Sequence, residues 1–221
     1  KEKKKEKIMI ITFATQKGGA GKTTLAIAFA NYLALQKKEI HVFDFDFQKS
    51  FYNKWMEDED LNLPKLYEVQ ISEDNQAPFS DFETLMKMKS DDAVYLFDLA
   101  GTLDMKYTDI LQYSDFIIIP FEYSDISTKS TLVFINFLGL LESEAGKIFI
   151  RSRFEKNFEY PNKPMMDEEI SRFGKLISQP VLKRNILQKI NTRSLKGHQR
   201  RALKDVFSEV VEHIEKASKE K

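Results

Sequence analysis

Ile8–Thr24 reads IMIITFATQKGGAGKTT. Its first part, Ile8 to Ala14, is an apolar, β-branched run, the pattern of a strand buried on both faces. Lys17, Gly18, Gly19, Ala20, Gly21, Lys22, Thr23 and Thr24 follow, and from Thr23 to Gln36 the chain becomes TTLAIAFANYLALQ, rich in helix-forming Ala and Leu. A strand, a glycine-rich turn and a helix, in that order, is the layout of a phosphate-binding loop. Glycines let the main chain close around phosphates with no Cβ in the way. The N–H groups at the start of the helix then face the anion. Lys22 supplies a point charge to the β- and γ-phosphates, the Thr23 hydroxyl is placed to ligate Mg²⁺, and Thr24 to reach the α-phosphate. The general form of the loop has a Gly where this chain has Gln16, whereas the form K-G-G-x-G-K-T is matched at every position. Lys17 sits on the outer rim, from which it cannot easily curl back to its own γ-phosphate. It can reach a phosphate bound by a second copy of the chain, so a dimer sandwiching two nucleotides is expected, with Lys17 acting in trans as an arginine finger does.

Working outward, Ile40–Phe45, Ala93–Leu99, Phe116–Phe121 and Gly146–Arg151 read as further apolar strands, with Pro64–Ile71 a short one. Helical stretches are Phe47–Asp60, Asp81–Lys89, Thr128–Glu142, Met166–Ser178 and Ala202–Ala217, and Pro180–Lys196 is irregular and basic. Alternating strands and helices predict a single α/β domain over 8–221, a P-loop NTPase (nucleoside triphosphatase) with a mostly parallel sheet flanked by helices on both faces, behind a charged tail at 1–7. The 221 residues, 42 % of them hydrophobic, suffice for a real core. There is no cysteine, which excludes a disulfide scaffold, a zinc-thiolate site, a Cys nucleophile and a thiolate-held iron–sulfur cluster. His41, His198 and His213 have no metal spacing. No run of about 18 apolar residues exists to span a membrane and no secretory signal is evident, so the expected location is the cytoplasm.

Three acids end strands where ligands of open α/β sheets bind. Asp44 and Asp46 lie 22 and 24 residues beyond Lys22. Being two apart, they point to the same side, so that one can support a metal while the other orients an attacking water. Asp98 follows four apolar residues of its strand, the arrangement that holds Mg²⁺ directly or through water, and Gly101 just beyond lets the main chain approach a γ-phosphate.

These residues resemble the ParA/MinD family of deviant Walker A ATPases. The likeness runs from Ile8 to about Tyr123: the loop with Lys17, the D-x-D-x-Q-x-S segment Asp44–Ser50, Asp98–Gly101, and SDFIIIP at Ser114–Pro120. The ParA branch is the most similar, with Phe47 where that branch usually has Pro. The resemblance implies that Lys17 is the trans-acting signature lysine, that Lys22 is catalytic, that Asp46 activates water, and that Asp44 and Asp98 serve Mg²⁺ alongside Thr23. It also implies an ATP-bound homodimer that binds DNA non-specifically, a nucleoid-associated location, and a ParB-like or other small DNA-binding adaptor as partner.

The charge pattern agrees. The whole chain is neutral, with 34 basic and 34 acidic residues, but Val181–Lys204 carries eight basic residues and no acid. Lys183, Arg184, Arg193, Lys196, Arg200 and Arg201 are the expected DNA contacts, made to phosphate rather than to bases because no aromatic residue accompanies them. The last helix sets Val206, Phe207, Val210, Val211 and Ile214 on one face and Glu209, Glu212 and Glu215 on the other, which suits docking on the core better than an anionic membrane. The expected function is therefore a partition ATPase for plasmid or chromosome segregation, released from DNA on hydrolysis. The alternatives are an accessory switch in conjugative transfer and a metabolic ligase of the dethiobiotin synthetase type.

Overall fold

The computed structural model describes residues 9–16, 19–71, 82–89 and 93–220. The tail at 1–7, and Lys17 and Gly18 of the loop, lie outside them. In chain order the elements are β1 (Met9–Phe13), α1 (Lys22–Ala34), β2 (Ile40–Phe45), α2 (Ser50–Glu57), β3 (Glu68–Ile71), α3 (Phe82–Met88), β4 (Val94–Leu99), α4 (Thr108–Tyr113), β5 (Phe116–Phe121), α5 (Asp125–Leu140), β6 (Gly146–Arg151), α6 (Lys163–Ser171), β7 (Lys175–Leu176), α7 (Asn185–Gln188) and α8 (Gly197–Glu220).

The strands form one sheet in the order β3-β2-β4-β1-β5-β6-β7, and every pairing is parallel. Successive residues of each strand serve opposite faces, so continuously apolar strands need cover on both sides. Ile11 and Phe13 of β1, with Ile118 of β5 and Ile150 of β6, pack under α1 and α8. Ile10, Ile117 and Phe149 pack on the other side with Tyr107, Ile110, Phe134 and Leu138. Helix α8 docks as its apolar face implied: Val206, Phe207, Val210 and Ile214 are buried, and the Phe207 ring lies 5.1 Å from that of Phe29 in α1.

Four local differences from the sequence reading have physical causes. The helix expected over Met166–Ser178 ends at Ser171, and Lys175–Leu176 add an edge strand beside Ile148 and Phe149. Gly174 permits this, since a Cβ there would lie 2.3 Å from the Lys147 carbonyl oxygen. The helix expected from Phe47 starts at Ser50, because the Asp46 carboxylate accepts the Gln48 N–H at 2.9 Å and Lys49 is left-handed at φ 48°. Helix α5 starts three residues before Thr128, where Ser124 accepts the Ser127 N–H as its cap. The irregular stretch 180–196 contains the one-turn helix α7.

Candidate functional site

A pocket of about 470 Å³ opens at the carboxyl ends of the strands, lined by Gly19, Gly21, Lys22, Thr23, Thr24, Asp46 and Gly101 among others. Gly19 (φ 90°) and Gly21 (φ 75°) take left-handed conformations that only glycine adopts without strain. Gly21 caps α1 and its carbonyl accepts the Leu25 N–H. A Cβ on Gly21 would come within 3.1 Å of the Ser152 hydroxyl, so the chain just past β6 presses on the loop from behind.

Lys22 is 7 % exposed and its ammonium is ringed by oxygen. Nζ donates to Asp98 Oδ1, lies 3.4 Å from Thr23 Oγ1 and 3.7 Å from Asp46 Oδ2. Asp98 is fully buried, and its second oxygen, Oδ2, has no hydrogen-bond partner. Burial pushes the Asp98 carboxyl above the usual range, against the pull of the Lys22 charge. Asp44 stands beside Asp98 in register across β2 and β4. Burial first, and the Asp98 charge second, raise the Asp44 carboxyl to about 6. Both Asp44 oxygens accept main-chain N–H groups, from Asp46 at 3.1 Å and from Tyr52 at 2.9 Å. Asp44 thus ties the end of β2 to the start of α2, while Asp46 faces the pocket. The orphaned Asp98 oxygen beside a threonine hydroxyl is a hard-oxygen donor set, which fits Mg²⁺ shared with phosphates.

The far wall of the pocket was not foreseen. It comes from Ser152 and Arg153 at the end of β6 and from Val181, Leu182 and Leu187. No local pattern announces them, because their place depends on how β6 and the chain after β7 pass the loop.

The six basic residues expected at DNA separate into three groups. Lys183 and Arg184 border the pocket, and Lys183 pairs with Glu155 at 2.8 Å. Lys196, Arg200 and Arg201 are exposed around the start of α8. Arg193, expected at DNA, is instead 4 % exposed. Its Nη2 donates to the Trp55 carbonyl at 2.9 Å and its Nε to that of Asp58 at 3.4 Å, with the guanidinium 5.2 Å from the Trp55 ring. A guanidinium turned inward to carbonyls offers nothing to a phosphate backbone. The same segment is pinned by Asp58, whose Oδ2 accepts the Thr192 N–H at 2.6 Å, and by Asn31 of α1, whose Nδ2 donates to the Asn191 carbonyl at 2.6 Å.

Among the described residues no helix is long and apolar enough to cross a membrane.

Residues 11–218 match the family model described as the CobQ/CobB/MinD/ParA nucleotide binding domain. No curated protein matches the chain. Solved structures do. A putative plasmid partition protein from Borrelia burgdorferi B31 bound to AMPPNP is 18 % identical, with a TM-score of 0.68 over 92 % of this chain and 100 % of that one. The pNOB8 ParA bound to nonspecific DNA is 17 % identical, with a TM-score of 0.64 over 96 % and 99 %. Cobyrinic acid a,c-diamide synthase from Mycobacterium smegmatis, with bound ADP and magnesium, is 12 % identical, with a TM-score of 0.63 over 93 % and 95 %. At these identities the likeness is one of fold.

Proposed function

The chain belongs to the CobQ/CobB/MinD/ParA nucleotide-binding domain family, and on that premise we propose that it is a slow ATPase of the partition type. In this reading it dimerises on ATP, binds DNA non-specifically as the dimer, and lets go on hydrolysis. The carrying observation is the buried Lys22–Asp98 pair with its unsatisfied carboxylate oxygen, set under a glycine loop.

Phosphoryl transfer asks for positioning and charge stabilisation. Arrival of ATP exchanges Asp98 for phosphate oxygens as the partner of Lys22. Asp98 and the Thr23 hydroxyl are then free to hold Mg²⁺, with Asp44 behind them. When bound, the ion supplies positive charge to the β- and γ-phosphates. Asp46 orients the attacking water in line with the bond to be broken, and Gly101, which lines the pocket, lets the main chain approach the γ-phosphate. Lys17 reaches across to the nucleotide of the second copy. If Lys17→Ala dimerises with ATP as the unmodified chain does in equilibrium sedimentation, the trans role is wrong.

Lys196, Arg200 and Arg201 form the face for DNA phosphates, with Lys183 and Arg184 nearer the nucleotide. A small DNA-binding adaptor, ParB-like in role, is the expected stimulating partner. The test is ATP turnover with and without plasmid DNA, with Lys22→Ala as control. Slow basal turnover that responds to DNA supports the proposal. Brisk DNA-independent turnover would favour a metabolic ligase of the same fold.

A further inference from the structure

Arg153 is the second residue after β6 and has a left-handed backbone, φ 52°, with a side chain that gives it no licence to be there. Such a conformation is strained and persists only where its surroundings impose it. They do so here from the next residue. The Phe154 N–H donates to the Val181 carbonyl at 2.9 Å, and the Phe154 carbonyl accepts the Lys183 N–H at 3.0 Å. The Phe154 ring stacks on Tyr160 with centroids 5.0 Å apart. Arg153 is therefore held between a strand end and an anchored aromatic, and its side chain is aimed at the phosphate loop. Nη1 donates to the Gly19 carbonyl at 2.7 Å, and Nε lies 3.5 Å from Glu122 Oε1. That Glu122 oxygen is buried and has no hydrogen-bond partner of its own, so the ion pair is its compensation.

We propose that Arg153 is a positioning residue for nucleotide binding: clamped by Glu122, it holds the phosphate loop open through the Gly19 carbonyl. This rests on the reading of the pocket as a nucleotide site. Gly19 stands in the glycine-rich turn whose N–H groups must all face the phosphates, so a donor on its carbonyl fixes the peptide plane that the ligand meets. The guanidinium does not contact the reacting atoms in this role. It sets how tightly nucleotide is held, and the chemical step is left to Lys22 and Asp46.

The left-handed backbone supplies a discriminating variant. Arg153→Gly removes the clamp and relieves the strain together, so the stability lost with the Glu122 pair and with the added freedom of glycine is partly offset, and a purely structural residue would leave nucleotide affinity unchanged. The experiment measures affinity for ADP carrying a methylanthraniloyl fluorophore, turnover at saturating ATP, and the thermal midpoint without nucleotide. For Arg153→Gly we expect about fivefold to tenfold weaker nucleotide binding, the scale of one charge-assisted hydrogen bond at a half-exposed site. Saturated turnover stays within about twofold, and the midpoint shifts little. Arg153→Lys keeps the charge without the fork that reaches both partners and restores only part of the affinity. Glu122→Gln weakens binding less than Arg153→Gly, and the double variant is no worse than Arg153→Gly alone. Unaltered affinity in Arg153→Gly, or additive losses in the double variant, overturns the proposal while leaving the nucleotide site intact. Failure of the unmodified chain to bind the probe overturns both.

Discussion

Lys22 and Arg193 are both buried cations, 7 % and 4 % exposed, yet the company they keep differs in kind. Lys22 faces carboxylates, Asp98 in contact and Asp46 at 3.7 Å, and one Asp98 oxygen is left without a partner. Arg193 faces the carbonyls of Trp55 and Asp58, and the nearby Asp58 carboxylate is already taken by Thr192 and by Lys54 at 3.0 Å. A cation among acids can trade one anion for another when a phosphate arrives. A cation embedded in main-chain carbonyls has no such exchange open to it, and it rivets the Asn191–Ser194 segment to α2. Burial of charge alone therefore does not mark a functional site, and neither does an unpartnered atom, since Arg193 Nη1 also lacks a hydrogen-bond partner; a buried cation held by an acid whose second oxygen is free does.

The comparison can be broken most directly at Lys22. Lys22→Ala should lower ATP turnover by about a hundredfold to a thousandfold, read as phosphate release at saturating ATP. A loss under about tenfold would class Lys22 with Arg193 as a structural cation. Arg193→Ala should show the reverse profile. A loss of about 2–4 kcal/mol in urea denaturation is expected, with turnover per folded molecule within about twofold. Arg200→Glu/Arg201→Glu tests the outward-facing cations. DNA affinity at moderate salt should fall by about tenfold or more, and the slope against salt should flatten by about two phosphate contacts, with the fold unaffected. Equal binding would mean that this face is not the DNA surface.

His213 supplies the smallest and intermediate case. Burial, and then the Lys175 charge, hold its imidazole below the usual value, with Lys216 opposing protonation and Glu209 and Glu220 favouring it. The unfolded chain therefore binds a proton on His213 before the folded one does. Stability is complete above pH ~6.5 and declines as pH falls below it. His213→Gln should flatten that decline by a few tenths of a kcal/mol in thermal melts at stepped pH, given its partial exposure.

The phosphate loop was legible because its chemistry is local: a strand, a turn needing glycine and a helix start follow one another within a few residues. Asp46 and Asp98 were legible for the same reason, as acids at strand ends. Alternation points Asp44 and Asp46 to one side, but it says nothing of the turn: β2 ends at Phe45, and Asp44 accepts the Asp46 N–H in the turn that carries Asp46. Arg193 could not be read correctly. Its partners Trp55 and Asp58 are separated from it by 138 and 135 positions, and a basic run looks the same whether its members point out or in. Arg153 carried no signal either, since only the packing of Phe154 against the chain near Val181 turns it to the loop. Strand β7, two residues long, is too short to show any period.

The position of β1 has a consequence for how the molecule is made. It precedes the other six described strands in the chain and is the middle strand of the finished sheet, and its partners are distant: Met9 meets Val94, and Ile11 meets Phe116. A nascent chain therefore carries an apolar strand with no edge to join until β4 and β5 have emerged. Sheet assembly waits on a long loop closure, which makes folding slow and leaves the early chain in need of shielding. The strand that bears the phosphate loop is thus the one whose pairing comes late, so nucleotide can select only chains whose centre has already closed.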